Sequence, residues 1–471
     1  MALKFYNTIN RKKELFKPIK DGEVKIYSCG PTVYNYAHIG NYRAFMSSDM
    51  LKRYLLYKGY NVNHVMNITD VDDKTIRDSQ KAGKTLKKFT EFYTKAFIED
   101  LNKLNVMIPK NMPKATECIQ DMIKLIHKLL AKDIAYKAND GIYFNIKKFK
   151  GYGKLSKIDL TQTKKGVRVN SDEYDKASPN DFALWKFWSK EDGNVFWEAD
   201  FGKGRPGWHI ECSAMSSKNL GESFDIHTGG VDLIFPHHEN EIAQSEAATG
   251  KKFVNYWLHN EYILVDGKKI SKSMGNFYTL RDLLEKGYSE KAIRYVLFAT
   301  HYRQQLNFTM DGVKAAENSI SRLKEFIDKL KYCVENHDQK DNNKNKDHVG
   351  VSELIDDSRT AFEKAMDDDL NISEALGVLF EFVKEINKVS DMFSKNDVEL
   401  IQKYVSELDS VLGIFKFEDE KIPKSVLVLA EKRQSARAEK NFEESDKIRD
   451  KLKEKGYEVK DTKTGFVVKK I

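Results

Sequence analysis

The sequence has few cysteines and no long apolar run, and both shortages exclude classes of protein. Its 471 residues include four cysteines, none in a Cys-x-x-Cys pair, so neither a disulfide-stapled fold nor a zinc ribbon is expected. No stretch reaches the roughly 18 consecutive apolar residues that a membrane span needs, and the chain does not begin with an apolar run of signal-peptide length. We therefore expect a cytoplasmic protein without membrane contact.

The sequence also lacks a strong excess of one charge. It has 79 basic and 71 acidic residues and a formal charge of +8, which is compatible with a nucleic-acid partner but does not establish one. The length exceeds the usual size of one domain, so we expect two to four domains.

The first part of the chain alternates strand-like and helix-like patterns. Residues 24–29 form a short apolar run, 41–57 follow an amphipathic helical pattern, and 61–68 form a second strand-like run. A strand, helix, strand order of this length predicts a parallel βαβ unit with its ligand at the carboxyl ends of the strands. The sequence therefore predicts an α/β catalytic core.

Residues 110–195 interrupt this alternation. They include a helical pattern around 119–130 and a strand-rich patch at 141–144, before apolar strands resume at 223–227 and 262–265. The pattern predicts an insertion that splits one domain.

From about residue 310 the pattern becomes helical. Apolar residues at spacings of three and four predict a helix packed on others: Val313, Ala316, Ile320, Leu323, Ile327 and Leu330. Asn371 with Glu374 has the form of a helix N-cap, and the polar segment 337–348 is expected to be mobile. Residues 425–471 predict two charged helices and a hairpin, which would form a small separate module.

The segment from Cys29 to Asn41 reads Cys-Gly-Pro-Thr-Val-Tyr-Asn-Tyr-Ala-His-Ile-Gly-Asn and joins the first strand to the first helix. A helix N-terminus offers free amides and partial positive charge, so His38 and Asn41 could bind phosphates while Gly40 allows close approach. A loop with a capping histidine is the alternative interpretation.

Two later segments also carry polar groups suited to a nucleotide. Residues 268–276 read Lys-Lys-Ile-Ser-Lys-Ser-Met-Gly-Asn, and lysines supply mobile charges for a polyphosphate, although a solvated charge run is the alternative. Residues 227–232 read His-Thr-Gly-Gly-Val-Asp, where glycines would admit a nucleoside and Asp232 could accept from its ribose; an ordinary glycine turn is the alternative.

Four side chains suggest a metal site. His237 and Glu241 are four residues apart in a predicted helix and so share a face. With Cys29 and Cys212 they make four ligands suited to zinc, a closed set that first suggests a structural ion. Surface positions for the first pair and core positions for the cysteines are the alternatives.

The segments ending at Asn41 and around Lys272 resemble the HIGH and KMSKS signatures of class I aminoacyl-tRNA synthetases. Their flanks resemble the cysteine-specific family, as do residues 67–74 (Asn-Ile-Thr-Asp-Val-Asp-Asp-Lys), 204–215 and 235–244. The similarity covers the whole chain. Two positions differ from the signatures, since Asn41 replaces a histidine and Ile270 a methionine.

This resemblance implies a Rossmann-like class I core with an insertion, then an α-helical bundle and a small α+β C-terminal module. The implied division is 1–110 with 195–300 for the core, 111–194 for the insertion, 301–420 for the bundle that binds the anticodon stem, and 421–471 for anticodon recognition. The implied reaction activates L-cysteine with ATP and Mg²⁺ and transfers it to tRNA(Cys), with one Zn²⁺ per chain binding the substrate thiolate.

The resemblance also implies residue roles. The metal ligands would be Cys29, Cys212, His237 and Glu241. Catalysis would use His38, Asn41 and Lys272, ATP binding would add Gly40, Gly230, Asp232 and Lys269, and cysteine would lie near Thr69 and Trp208. Basic residues of the terminal module would reach the anticodon loop: Lys432, Arg433, Arg437, Lys440 and Arg449.

Two other functions fit parts of the pattern. A ligase that joins cysteine to an aminosugar would share the adenylate chemistry but lack the long RNA-binding tail. A non-catalytic, zinc-stabilised nucleic-acid-binding protein would leave the nucleotide motifs unexplained. The absence of a long heptad array makes a monomer the simpler expectation.

Overall fold

The structure is a computed structural model, and it describes residues 2–158, 181–271, 274–335, 350–390, 393–415, 423–462 and 465–470. The chain divides into two compact units, Met1–Phe415 and Lys416–Ile471. In the described parts of the chain, no helix has both the length and the apolar character needed to cross a membrane. The segment 337–348, predicted to be mobile, lies outside the described residues.

The first unit carries thirteen of the described strands and twelve of the described α-helices. Its strands are β1 (Lys4–Asn7), β2 (Lys12–Leu15), β3 (Glu23–Ser28), β4 (Asn61–Met66), β5 (Ala135–Lys137), β6 (Gly141–Phe144), β7 (Phe182–Phe187), β8 (Gly204–Pro206), β9 (Phe224–Gly230), β10 (Val254–Asn260), β11 (Ile263–Val265), β12 (Lys268–Lys269) and β13 (Leu306–Phe308). Its helices are α1 (Ile39–Tyr57), α2 (Asp73–Lys81), α3 (Leu86–Lys103), α4 (Ile119–Ala131), α5 (Trp208–Leu220), α6 (Glu239–Thr249), α7 (Leu280–Glu285), α8 (Glu290–Ala299), α9 (Met310–Glu335), α10 (Val351–Asp367), α11 (Ile372–Val389) and α12 (Lys395–Leu412).

The centre of this unit is a parallel sheet with strand order β10, β9, β3, β4. β3 and β4, which α1 connects in the sequence, pair in parallel from Glu23 with Asn61 to Ser28 with Met66. The predicted βαβ unit is thus confirmed. The second strand ends at Met66 rather than Ile68, because the Ile68 amide donates 2.9 Å to the carbonyl of Pro113 instead of to the sheet.

Between β4 and β9 the chain builds a second, antiparallel sheet with order β5, β6, β7, β8. The helix and strand predicted at 119–130 and 141–144 are present as α4 and β6. Buried aromatic residues of this sheet, such as Phe144 and Phe182, belong to the same hydrophobic core as Phe224 of the central sheet. The antiparallel sheet therefore shares a core with the central one, with α5 packed against strands of both, and the division at 111–194 stays a prediction.

Helices α9 to α12 follow the central sheet. The predicted apolar stripe of α9 is buried except at Ile327, where the neighbouring Phe326 is buried in its place. The N-cap predicted at Asn371 is confirmed, since its side chain accepts a hydrogen bond from the Glu374 amide at 3.4 Å.

Helix α1 is tied to α8 and α12 by a buried group of charges. The Asp49 carboxylate accepts from Arg53 Nε at 2.9 Å and from Arg294 Nη2 at 2.8 Å. Arg294 Nε also donates 2.9 Å to the carbonyl of Leu412, at the end of α12. The helix that follows the first motif is thereby fixed to the helical part of the unit.

The second unit contains α13 (Lys424–Ala438), α14 (Phe442–Glu454), β14 (Tyr457–Thr462) and β15 (Gly465–Lys470). The two strands pair antiparallel, so the predicted helices and hairpin are confirmed. Arg433 is buried and donates two hydrogen bonds to Asp461 at 2.6 and 2.9 Å. Arg433 therefore stabilises this unit and is unsuited to the RNA contact that the sequence suggested for it.

Candidate active site and metal-ligand cluster

Four potential metal ligands meet beside the carboxyl ends of the central strands. Cys29 directly follows β3, Cys212 lies on α5, His237 precedes α6, and Glu241 lies in its first turn. One ligand atom of each residue lies within 4.8 Å of those of the others. The structure thus brings together the four residues that the sequence nominated, from three separate parts of the chain.

The spacing and the donor atoms of this cluster fit a zinc ion. The two Sγ atoms are 3.9 Å apart, and His237 Nε2 lies 3.1 Å from Glu241 Oε1. Cys29 is half-buried and the other three residues are buried. Thiolate, imidazole and carboxylate are the ligands that zinc uses in proteins, and buried groups of this kind are otherwise costly to keep together.

The charges of the cluster favour a cation. A hydrogen bond from Cys29 lowers the pKa of Cys212 to about 6 although burial opposes this, while burial raises the pKa of the Cys29 thiol. Burial disfavours charge on His237, but Glu241 outweighs it and raises the pKa of the imidazole to about 10. Burial likewise opposes ionisation of Glu241, yet His227 and His237 lower its pKa to about 2. A metal ion would replace the proton on His237 and balance the negative charges of Cys212 and Glu241.

Two histidines that the sequence analysis missed lie behind the cluster. His227 Nε2 is 3.0 Å from Glu241 Oε2, and His238 Nε2 is 3.3 Å from Cys29 Sγ. With Cys29 and Glu241 they form a second group of potential ligands within 4.8 Å. The signal that could have found His238 is the adjacent His237-His238 pair, because both lie at helical spacings from Glu241. His227 lies in β9, and no local pattern connects it with the cluster.

The set with two cysteines is better suited to hold an ion. His238 is fully buried, and its Nδ1 is already engaged 2.8 Å from His259 Nε2. Burial and the neighbouring His227 lower the pKa of His238 well below its usual value. The set with two cysteines offers one more thiolate to a zinc ion, and in that arrangement His227 and His238 would orient Glu241 and Cys29 from the protein side.

The predicted substrate contacts, Trp208 and Thr69, lie next to the cluster. Trp208 is 40% exposed and stacks on His237 with ring centroids 4.1 Å apart. Thr69 is buried and donates a 2.9 Å hydrogen bond to Glu211 Oε2. Asn67, just before it, places Oδ1 3.8 Å from Cys212 Sγ. The cluster thus has an open aromatic side and a buried polar side.

The first nucleotide motif lies where predicted, at the start of α1. His38 is the N-cap residue, and its amide donates 3.1 Å to Asn41 Oδ1. A Cβ atom on Gly40 would lie 2.8 Å from His38 Cε1 and 3.1 Å from Ile270 Cδ1. Gly40 therefore allows the two signature segments to approach closely at this point.

The second motif lies against the first one. The backbone amide of Ile39 donates 2.9 Å to the carbonyl of Tyr278, just beyond the lysine-serine segment. Lys269 is exposed on β12, and its carbonyl accepts from Asn276 Nδ2 at 2.9 Å. Lys272, predicted to be catalytic, lies outside the described residues.

The glycine segment differs from the predicted loop. Thr228 to Gly230 form the carboxyl end of β9, and only Val231 onward leaves the sheet. Asp232 is exposed and turned back, so that a Cβ atom on Gly230 would lie 2.3 Å from its Oδ1. Parallel pairing with β3 ends at Thr228, but pairing with β10 continues through Gly229 and Gly230 and so extends the strand further than its glycines suggest.

Comparison with known proteins defines the class. Residues 15–318 match the family described as tRNA synthetases class I (C) catalytic domain, and residues 361–416 match the DALR domain. The fold is similar to that of Mycobacterium tuberculosis methionyl-tRNA synthetase in complex with methionyl-adenylate, with a TM-score of 0.61 at 14% identity over 83% of this chain and 90% of that chain. It is also similar to the Agrobacterium radiobacter K84 LeuRS in a ternary complex, with a TM-score of 0.62 at 11% identity and 85% of both chains covered. The chain is a class I aminoacyl-tRNA synthetase.

Full-length relatives show which family within this class the chain belongs to. The cysteine–tRNA ligase of Chlamydia muridarum is 48% identical over the full length of both chains. That of Brachyspira hyodysenteriae is also 48% identical, with 98% of each chain covered. The chain belongs to the cysteine–tRNA ligase family, and the family and fold class predicted from the sequence are confirmed.

Proposed function

We propose that this site activates L-cysteine with ATP and then transfers the cysteinyl group to the 3′ end of tRNA(Cys). The observation that carries the proposal is the placement of a thiol-rich ligand cluster and two touching nucleotide motifs at the carboxyl edge of one parallel sheet. Soft sulfur ligands suit recognition of a thiol, and a helix N-terminus suits binding of phosphates.

One Zn²⁺ per chain would be held by Cys29, Cys212, His237 and Glu241. When bound, the ion supplies a site that takes the substrate sulfur as a thiolate and discriminates against the hydroxyl of serine. The protein contributes an ionised Glu241 and a readily ionised Cys212. Trp208 and Thr69 would enclose the bound cysteine from the open and the buried side.

In the activation step the cysteine carboxylate attacks the α-phosphorus of ATP and pyrophosphate leaves, which forms cysteinyl-adenylate. His38 and Asn41 would bind phosphate oxygens at the start of α1, and Lys272 with Mg²⁺ would balance the charge that develops on them. Lys269 and Gly40 would complete the phosphate site. Gly230 and Asp232 would contact the adenosine.

In the transfer step a ribose hydroxyl of the tRNA attacks the carbonyl carbon of the adenylate, and AMP leaves. Helices α9 to α12, of which the DALR match covers the later part, would bind the anticodon stem. Lys432, Arg437, Lys440 and Arg449 of the second unit would bind the anticodon loop. We infer a cytoplasmic monomer.

The two other functions are less well supported. An aminosugar ligase would not need the DALR segment or the second unit. A purely structural metal site would not explain why Gly40 lies against His38 and Ile270.

The test is ATP–pyrophosphate exchange measured with cysteine, with serine and without amino acid. Cysteine alone should support exchange, and a chelator or Cys212→Ser should abolish it while the protein stays folded. Cys118→Ser is the matched control, because Cys118 is as buried as Cys212 but lies outside the cluster. The proposal would be contradicted if cysteine did not support exchange, or if serine supported it as well as cysteine.

A further inference from the structure

Tyr27 lies beside the metal-ligand cluster and has no part in the function described so far. It is the fifth residue of β3 and is paired in register with Val65 on one side and His227 on the other. Because side chains alternate along a strand, Tyr27 and Cys29 lie on the same face of the sheet. That face packs against α5, which carries Cys212.

The phenol of Tyr27 is fully buried, and its hydroxyl lacks a hydrogen-bond partner among the described residues. Its ring contacts His227 edge-on with centroids 5.2 Å apart. A buried hydroxyl without a hydrogen-bond partner destabilises the folded protein. The protein therefore keeps a polar group in its core that the described part of the chain leaves unsatisfied.

The packing around Tyr27 indicates what the hydroxyl faces. Tyr27 belongs to the same buried core as Cys212 and its neighbours Ile210 and Met215 on α5. His227, which its ring contacts, lies 3.0 Å from Glu241 of the cluster. An acceptor for this hydroxyl would therefore have to come from the cluster side.

We propose that Tyr27 is a positioning residue of the metal site, whose hydroxyl donates a hydrogen bond to the Cys212 thiolate when that thiolate binds zinc. This inference rests on the proposed function. A metal-bound thiolate keeps lone pairs that accept an O–H donor, whereas a neutral thiol is a weak acceptor. The hydroxyl would hold Cys212 in its binding orientation and withdraw charge from the sulfur, as partners of metal ligands do elsewhere.

The test compares Tyr27→Phe with the parent protein, each in the zinc-loaded and in the chelator-treated form. Loss of the hydrogen bond should weaken zinc binding about tenfold in competition with a chelating indicator. The unfolding midpoint should fall in the loaded form but stay equal or rise in the chelator-treated form, where the variant only removes an unsatisfied hydroxyl. In the cobalt-substituted protein, the sulfur-to-metal absorption band should move to longer wavelength.

Tyr143→Phe is the matched control. Tyr143 is also fully buried, but its hydroxyl donates 3.1 Å to Asp140 in the antiparallel sheet. Its effect on the unfolding midpoint should be the same with and without metal.

The outcomes separate this inference from the proposed function. A parent protein that binds no zinc overturns both the metal site and the role of Tyr27. A parent that binds zinc, with a Tyr27→Phe variant unchanged in affinity, cobalt spectrum and metal-dependent midpoint, overturns the role of Tyr27 alone. If Tyr27→Phe does not fold, Tyr27→His, which keeps a ring donor, should restore zinc binding, and failure of that variant to bind zinc when folded also counts against the inference.

Discussion

Gly40 lies between His38 and Ile270. Adding a single methyl group at this position therefore tests whether activity depends on the close contact of the two signature segments. In Gly40→Ala the new methyl group would displace the His38 ring and Ile270, since both lie within 3.1 Å of its position. Displacement of a positioning group by about 1 Å can lower a rate about 100-fold. We expect ATP–pyrophosphate exchange to fall tenfold to about 100-fold, with a raised KM for ATP.

Gly377→Ala is the control for this substitution. Gly377 lies inside α11 with nothing within 4 Å of its Cβ position, so alanine should leave exchange unchanged and stabilise the helix by up to about 1 kcal/mol. Full exchange activity in Gly40→Ala would show that the two segments do not need this close contact.

His64 makes stability depend on pH. It is buried in β4 with Nε2 2.8 Å from Ser28 Oγ, and burial together with Lys52 lowers its pKa to about 3. Because the folded pKa is below the unfolded value of about 6.5, stability is present above that value and is lost as the pH falls toward 3. At pH 5 the loss from this residue should be about 2 kcal/mol.

Urea unfolding at pH 7.5 and pH 5 measures this loss. His64→Gln should lose about 2 kcal/mol less than the parent between the two pH values. His127→Gln, at an exposed position paired with Asp200, should lose as much as the parent. Equal losses in all three proteins would mean that other groups cause the acid sensitivity.

Among the helices, α1 joins the nucleotide motif to the rest of the first unit, and Asp49 is the residue on which this connection depends. Burial opposes its ionisation, but Arg294, Arg53 and the Met107 amide outweigh it and lower its pKa. Asp49→Asn leaves two buried guanidinium groups without a counter-charge. We expect the free energy of unfolding to fall by about 3–5 kcal/mol, measured by chemical denaturation.

Asp368→Asn is the matched control, since Asp368 forms a 2.7 Å ion pair with Lys13 in which both side chains are exposed. Exposed pairs contribute about 0–1 kcal/mol. An equal effect of the two substitutions would contradict the importance of burial at Asp49.

Elements with a strong local pattern were predictable, as β3, α1, β4 and the cap at Asn371 illustrate. His237 and Glu241 were found in the same way, because helical spacing alone places them together. The sequence could not show that His227 and His238 support Cys29 and Glu241, since those contacts depend on how β9 and α6 meet β3. The contact of Gly40 with Ile270 likewise joins segments distant in sequence, and only the folded chain reveals it.

At the scale of the whole molecule, the chemistry and the proposed contacts with the anticodon loop belong to different units. The ligand cluster and both motifs lie within Met1–Phe415, whereas the second unit has a hydrophobic core of its own, built around Ala430, Ile448 and Leu452. Basic residues outnumber acidic ones in the second unit. A chain that ends at Phe415 should therefore keep cysteine-dependent exchange within about twofold, while its charging of tRNA(Cys) falls by about tenfold or more.

The full-length chain allows the same test without truncation. Ile448→Asp places a carboxylate in the core of the second unit and should unfold that unit, which reproduces the loss of charging with exchange retained. Phe442→Asp is the matched control, because Phe442 is exposed on the same helix, α14, and should charge tRNA(Cys) as the parent does. If Ile448→Asp lost exchange as well, activation would depend on the second unit; if it kept full charging, the first unit alone would bind the tRNA.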